Sequence, residues 1–231
     1  ALFQLIDVIK DYNAKKITLI LPYLSYSRQD KRFLDGECIS LKLILNILWN
    51  LGVNQIITFD VHSYEGVIKY SKIPVKNILL SMDLTSYILE KYIKDNNVIL
   101  VSPDEGRLSL VSDIARKLNI EYTYLIKRRD RKDGSIAISG FGKDLNRVYE
   151  NIIILDDEIS TGGTIVKAIK FLKENDYLKN AHIYVAATHL LLLNGADRKI
   201  FDAGAADIIG SNTIRNSYTR VYICLLYTSD A

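Results

Sequence analysis

IIILDDEISTGGTI, residues 152–165, is the stretch on which the reading of this sequence turns. Four apolar residues run into two acids, a Ser-Thr-Gly-Gly-Thr turn follows, and an amphipathic helix begins. Gly162 and Gly163 allow the backbone to approach a ligand closely and to adopt torsions that other residues avoid. Ser160, Thr161 and Thr164 add hydroxyl donors, and the N–H groups and dipole of a helix start favour an anion. Ile165, Ile169 and Leu172 recur on one helix face while Lys167, Lys170 and Lys173 fall on the other, which anchors the turn against a sheet. An ordinary strand-to-helix turn with a Thr cap accounts for the glycines. It does not account for Asp156 and Asp157, which repel each other and are poor choices for a purely structural role. The stretch predicts a phosphate turn, with the paired acids holding the sugar attached to that phosphate.

Working outward, apolar runs alternate with helical periodicities. Leu2, Leu5, Ile6 and Ile9 mark a helix face, KITLILPY (16–23) a strand, Ile39, Leu43, Ile47 and Leu51 a helix, and QIITFD (55–60) a strand. DLTSYILEKYIKDN (83–96) reads as a helix capped by Asp83, followed by the strand NVILVS (97–102), the helix LSLVSDIARKL (108–118) and the strand YTYLIK (122–127). Residues 128–147 are polar and Gly-dotted, a candidate mobile loop. Strand 152–155, a helix over about 163–175, the strand AHIYVAATH (181–189), a short helix near 196–202 and the strand ADIIG (206–210) complete the pass. This alternation predicts an α/β protein with mainly parallel sheets. SKIPVKN (71–77) is the best break, dividing the chain into an N-terminal domain at 1–77 and a C-terminal domain at 78–231, with a doubtful tail after about 220.

In such sheets ligands bind beyond the carboxyl ends of the strands. The polar residues that stand out fall there: Asp60 and His62 after one strand, Asp104 after another, Lys127 after a third, Asp156 and Asp157 after a fourth. The composition is that of a globular protein, with 48% apolar and 25% charged residues over 231 positions. A formal charge of +3 is too small to imply nucleic acid. Cys38 and Cys224 lie far apart and form no metal-ligand pattern, as expected of reduced thiols in a cytoplasmic protein. No apolar run reaches the ~18 residues of a membrane span, and no signal peptide is evident. A nucleotide P-loop needs G-x-x-x-x-G-K-[ST], and GFGKD (140–144) has neither the spacing nor the hydroxyl.

DDEISTGGTI (156–165) resembles the phosphoribosyl-binding loop of the type I phosphoribosyltransferase fold. Three upstream motifs narrow the resemblance to the ribose-phosphate pyrophosphokinases, in their archaeal-type branch. LPYLSYSRQDKRFLDGECIS (21–40) is similar to that family's Pro-Tyr…Tyr-x-Arg-Gln-Asp-Lys…Gly-Glu-Pro-Ile-Ser stretch, with Cys38 in place of Pro. ITFDVHS (57–63) resembles its Asp-x-His strand end, and VSPDEG (101–106) its Ser-Pro-Asp loop. FLDGE (33–37) imitates an adenine-binding motif of the family but by position belongs to the first of these stretches.

The resemblance implies two similar phosphoribosyltransferase-like domains, the first incomplete, and synthesis of 5-phosphoribosyl 1-pyrophosphate and AMP from ATP and ribose 5-phosphate. It assigns Arg28, Gln29, Asp30, Lys31 and His62 to ATP, and His62 and Asp104 to Mg2+. It assigns Lys127 and Arg129 to a catalytic cation pair, and Asp156, Asp157, Ser160, Thr161, Gly162, Gly163 and Thr164 to ribose 5-phosphate. It also implies a homo-oligomer. Arg107 departs from the pattern, standing where the family's pyrophosphate loop usually has a second Gly; a long cation there can meet a phosphate or block the turn. The chain begins where the family is well into its first domain, and VYICLLYTSDA (221–231) does not read like the family's ending. Two other readings stay open: a base-utilising phosphoribosyltransferase, and a non-catalytic homologue that regulates active relatives.

Overall fold

The computed structural model describes residues 1–32, 34–95, 97–129 and 136–223, except for the side chains of Arg129 and Ile136. The chain divides into two compact units, Ala1–Leu79 and Leu80–Ala231. The first unit runs α1 (Leu2–Asp11), β1 (Thr18–Leu21), α2 (Ser40–Asn50), β2 (Gln55–Phe59), α3 (Tyr64–Tyr70) and β3 (Val75–Ile78). Its three strands pair in parallel in the order β1-β2-β3. The buried faces are not the expected ones: α2 packs Leu41, Leu45 and Leu48, with Ile6 of α1, against Ile56 and Val67, while Leu43 of the expected α2 face and Leu2 and Leu5 of the expected α1 face are exposed.

The second unit contains α4 (Ser81–Tyr92), β4 (Val98–Ser102), α5 (Leu108–Leu118), β5 (Glu121–Arg129), β6 (Ile136–Phe141), β7 (Asn151–Ile159), α6 (Gly163–Lys173), β8 (His182–Leu190), α7 (Ala196–Ala203), β9 (Asp207–Ser211) and β10 (Thr219–Val221). Its seven-stranded sheet has the order β10-β9-β8-β7-β4-β5-β6, parallel except for the antiparallel β5–β6 pair. The continuous apolar runs of β4, β7 and β8 arise because both sheet faces are covered. Side chains alternate between two cores: Ile152 and Ile154 pack with Ile165, Ile169 and Leu172 of α6, while Ile153 and Leu155 pack with Leu84 and Ile88 of α4 and with Val111 and Ile114 of α5. Among the described residues no helix is long and apolar enough to cross a membrane.

The break expected at 71–77 lies just ahead of the division after Leu79, and its last residues form the start of β3, which follows Pro74 and pairs in register with β2 (Ile56 with Val75, Phe59 with Ile78). Four further expectations need correction. Asp83 does not cap its helix; α4 starts earlier and leaves Asp83 in the first turn, half-buried with its carboxyl pushed up by that burial. Part of the loop expected at 128–147 is strand: β6 pairs antiparallel with β5, and Ile138 and Phe141 pack from it against the core, an alternation masked by the neighbouring glycines and charges. Residues 130–135 lie outside the described residues. The strand read as 152–155 continues through the acids to Ile159, because β8 keeps pairing there, Asp156 with Ala187 and Glu158 with His189. Finally, Val221, set aside with the doubtful tail, lies in β10 and packs against the α4–α5 core; Cys224 lies outside the described residues.

Because β7 is buried along its whole length, it should be the element least tolerant of cavities. Ile154→Ala is expected to cost ~2–5 kcal/mol in denaturant unfolding; a cost under ~1 kcal/mol would show that the two cores collapse around the void.

Candidate active site

The strand order of the second unit reverses between β4 and β7: β5 continues from β4 on one side, and β8 continues from β7 on the other. Such a reversal splays the connections apart and opens a crevice at the carboxyl ends of the strands. Asp104 follows β4, Asp156 and Asp157 lie in the second half of β7, and Lys127 lies near the end of β5, the neighbour of β4, so topology alone gathers these residues at one edge of one sheet.

Both sides of the crevice are tightly organised. Asp104 lies in a sharp turn in which Ser102 Oγ donates to its carbonyl at 2.6 Å and Gly106 N–H donates to its Oδ1 at 3.0 Å. Its Oδ2 receives the Lys127 ammonium at 2.8 Å, with the Asp104 side chain 40% exposed and therefore open to a ligand. Lys127 is delivered there beside a β-bulge: the pairing jumps from Ile126–Gly140 to Lys127–Ile138, leaving Ser139 as the extra residue. Bulges of this kind re-aim side chains next to functional sites. Arg128 is exposed. Arg129 ends β5, and its side chain lies outside the described residues.

On the β7 side, Asp156 and Asp157 are almost fully buried, and the Asp157 N–H donates to Asp156 Oδ1 at 2.9 Å. Burial, then the charge of Asp157, push the Asp156 carboxyl well above the usual carboxylate range, and Asp104 adds to the effect. Asp157 forms an ion pair with Arg107, which projects from the start of α5 on the β4 side. Sequence reasoning flagged Arg107 as anomalous without finding this partner; the only signal was a long cation two residues beyond a Gly-flanking acid. It also passed over Glu158, buried in β7 in register with the buried His189, although a third consecutive acid was there to be read.

The turn after β7 behaves as two different glycines. Gly162 has φ +75°, and a Cβ there would press on Ala196 Cβ at 3.2 Å and Ile200 Cδ1 at 3.3 Å. Its role is to make the turn and let it sit on α7. Gly163 opens α6, and nothing lies within 4 Å of where its Cβ would be. Thr161 and Thr164 are exposed and Ser160 is half-buried.

The first unit holds the other predicted residues. Ser63 accepts the Gly66 N–H at 3.1 Å as the cap of α3 and donates to Asp30 Oδ2 at 2.6 Å. A Cβ on Gly66 would strike Asp30 Cβ at 2.9 Å, so this glycine is what allows the loop to lie against α3. The loop carrying Arg28, Gln29, Asp30 and Lys31 is thereby fixed beside the turn that contains His62. Just ahead, Asp60 is buried at φ +35°, a strained backbone for a non-glycine residue, with its N–H bonded to Ile78 O at 2.9 Å. Ser63 was not singled out from the sequence, although a Ser followed by an acid in the first helical turn is a cap signature. His62 and Asp104 belong to different units. Among the described residues no group of three or more His, Cys, Asp or Glu stands together as a metal cage.

Residues 75–204 match the phosphoribosyl transferase domain, and residues 1–52 match the N-terminal domain of ribose phosphate pyrophosphokinase. The ribose-phosphate pyrophosphokinase of Saccharolobus solfataricus is 39% identical over 213 residues, covering 92% of this chain and 70% of that protein. The enzyme of the same name from Methanobrevibacter smithii is 36% identical over 228 residues, covering 95% of this chain and 74% of its own. The crystal structure of phosphoribosylpyrophosphate synthetase from Mycobacterium smegmatis superposes with a TM-score of 0.82 at 31% identity, over 98% of this chain and 74% of that one. With both halves matched and the acid pair, the glycine turn and the Asp104 loop in one crevice, the chain belongs to the ribose-phosphate pyrophosphokinase family.

Proposed function

We propose that this chain joins ATP and ribose 5-phosphate to give 5-phosphoribosyl 1-pyrophosphate and AMP. One observation carries the reading: in a chain of this family, Asp104, Lys127 and the Asp156–Asp157 pair meet at the switch point of one sheet, just ahead of a turn with open space at Gly163. The turn Ser160–Thr164 takes the 5-phosphate on its backbone N–H groups and hydroxyls. The acids accept ribose hydroxyls, which donate a hydrogen bond to a carboxylate without adding charge. The anomeric oxygen, losing its proton to solvent, bonds to the β-phosphorus as the bond from that phosphorus to AMP breaks. Such transfer is mostly positioning and charge neutralisation. Lys127, resting on Asp104 at 2.8 Å, can pass its contact to a phosphate oxygen as charge develops there.

The exposed oxygen donors of Asp104 suit Mg2+, which binds through one or two carboxylates together with substrate phosphates rather than in a protein cage. Bound magnesium supplies charge neutralisation on the transferring phosphates. On the first unit, Arg28, Gln29, Asp30, Lys31 and His62 are assigned to ATP, on a loop that Ser63 holds in place. A cytoplasmic homo-oligomer is part of the same reading and rests on the family resemblance. Release of AMP from ATP in the presence of magnesium and ribose 5-phosphate, and not without the sugar, tests the activity. A second reading, a non-catalytic member that regulates active relatives, draws on the hold of Arg107 on Asp157; binding of both substrates without AMP release would favour it.

If Lys127 and Arg129 stabilise the transition state, Lys127→Ala and Arg129→Ala should each lower kcat by ~10²–10³ with little change in KM for ATP. Arg128→Ala should be close to neutral; equal damage at all three positions would mean a diffuse basic patch instead. At the turn, Gly163→Val should keep the fold, since its Cβ meets open space, and abolish ribose 5-phosphate binding in calorimetry. Unchanged affinity would place the phosphate elsewhere. The electrostatics of Asp156 add a pH dependence. Its raised carboxyl means that the folded chain holds a proton that the unfolded chain releases above ~4, so stability is lost as pH rises from there through the folded value. Asp156→Asn should therefore raise Tm at neutral pH, with the gain shrinking towards pH ~4. A lower Tm at neutral pH would show that a charged Asp156 is compensated by its neighbours.

A further inference from the structure

We infer that Arg107 couples the two substrates: its guanidinium holds Asp157 until a polyphosphate draws it away, so a polyanion and the sugar phosphate bind cooperatively. The inference rests on the reading that Asp157 accepts ribose hydroxyls. Arg107 stands at the end of the turn that begins with Asp104 and leads straight into α5. Its backbone therefore belongs to the β4 side of the crevice, while its guanidinium reaches the carboxylate of Asp157 on the β7 side. Asp157 is 1% exposed and Arg107 15%, so the contact lies largely out of water, where a charged pair is poorly screened.

A ribose hydroxyl is a neutral donor. Exchanging a guanidinium for a hydroxyl trades a charge-assisted contact for a weaker one and strands the positive charge, so the sugar alone binds at a disadvantage. A polyphosphate changes the exchange, because it offers the guanidinium several anionic oxygens in the forked geometry that Arg prefers. Lys127 repeats the arrangement on the same side, its ammonium held by the Asp104 carboxylate. Arg107 and Lys127 thus each rest on a carboxylate of the crevice itself, and an arriving polyanion releases those carboxylates for other ligands. By linkage the coupling is reciprocal, and the sugar phosphate must tighten polyphosphate binding by the same factor.

The test is calorimetric titration of ribose 5-phosphate into the chain with and without inorganic tripolyphosphate and magnesium. Wild type is expected to bind the sugar phosphate about tenfold more tightly when tripolyphosphate is present. Arg107→Gly should bind it equally well in both conditions, at the level of the tripolyphosphate-bound wild type. Arg107→Lys keeps a cation on Asp157 if the glycine variant is unstable, and should show a reduced but nonzero coupling. Equal wild-type affinity in the two conditions, or competition between the two ligands, overturns the coupling alone. Failure of every protein to bind the sugar phosphate overturns the reading of the site, and the coupling with it.

Discussion

Two carboxylates on consecutive residues, enclosed at the end of a strand that is buried throughout, create a demand that the neighbouring elements of the second unit answer. Asp156 meets it by favouring its protonated form, Asp157 by pairing with Arg107. A third carboxylate across the crevice, Asp104, is answered by Lys127. The pattern is a set of negative groups, each held with a local counterweight. That explains why the anomalous arginine is compatible with the fold, since it neutralises a charge that would otherwise be costly to bury. It also explains why β4 and β7, whose apolar runs are aliphatic, turn polar towards their carboxyl ends.

The parallel sheet, the glycine turn and the residues of the crevice were legible in the sequence because each carries a local signature. A buried parallel strand needs an unbroken apolar run, and an α6 that packs on a sheet needs Ile165, Ile169 and Leu172 on one face. What escaped was set by partners distant in sequence. The reach of β7 through Asp156 and Glu158 is decided by pairing with β8, which no inspection of residues 152–159 reveals. The strand β3 hides behind Pro74 and becomes a strand only through its register with β2. The ion pair of Arg107 with Asp157 joins residues from separate elements, and each alone looks like an ordinary charge at an element's end. Ser63 was missed for a different reason: its cap was legible, but its second bond, to Asp30, was not.

The first unit follows the same logic on a smaller scale. Its loop of basic and polar residues would be expensive to order by itself, because long charged side chains lose much rotamer freedom. Asp30 is tied to the scaffold through Ser63 and the bare Gly66, and the Gln29 carbonyl accepts from the Leu41 N–H at 3.3 Å, while the side chains of Arg28 and Lys31 lie at the surface. Anchoring these short and backbone groups fixes the path of the chain. The strained Asp60 at the end of β2 turns the chain towards His62 within the same unit.

Gly162 has a consequence that extends beyond the turn. Its missing side chain leaves a gap that Ala196 and Ile200 of α7 fill to within a few tenths of an ångström of a clash. The height at which the turn sits above the sheet is therefore set by the size of Ala196, a residue with no part in any proposed contact. Sequence drift at that helix position would retune the glycine turn as a shim retunes a hinge, and Ala196 and Gly162 should change together or not at all.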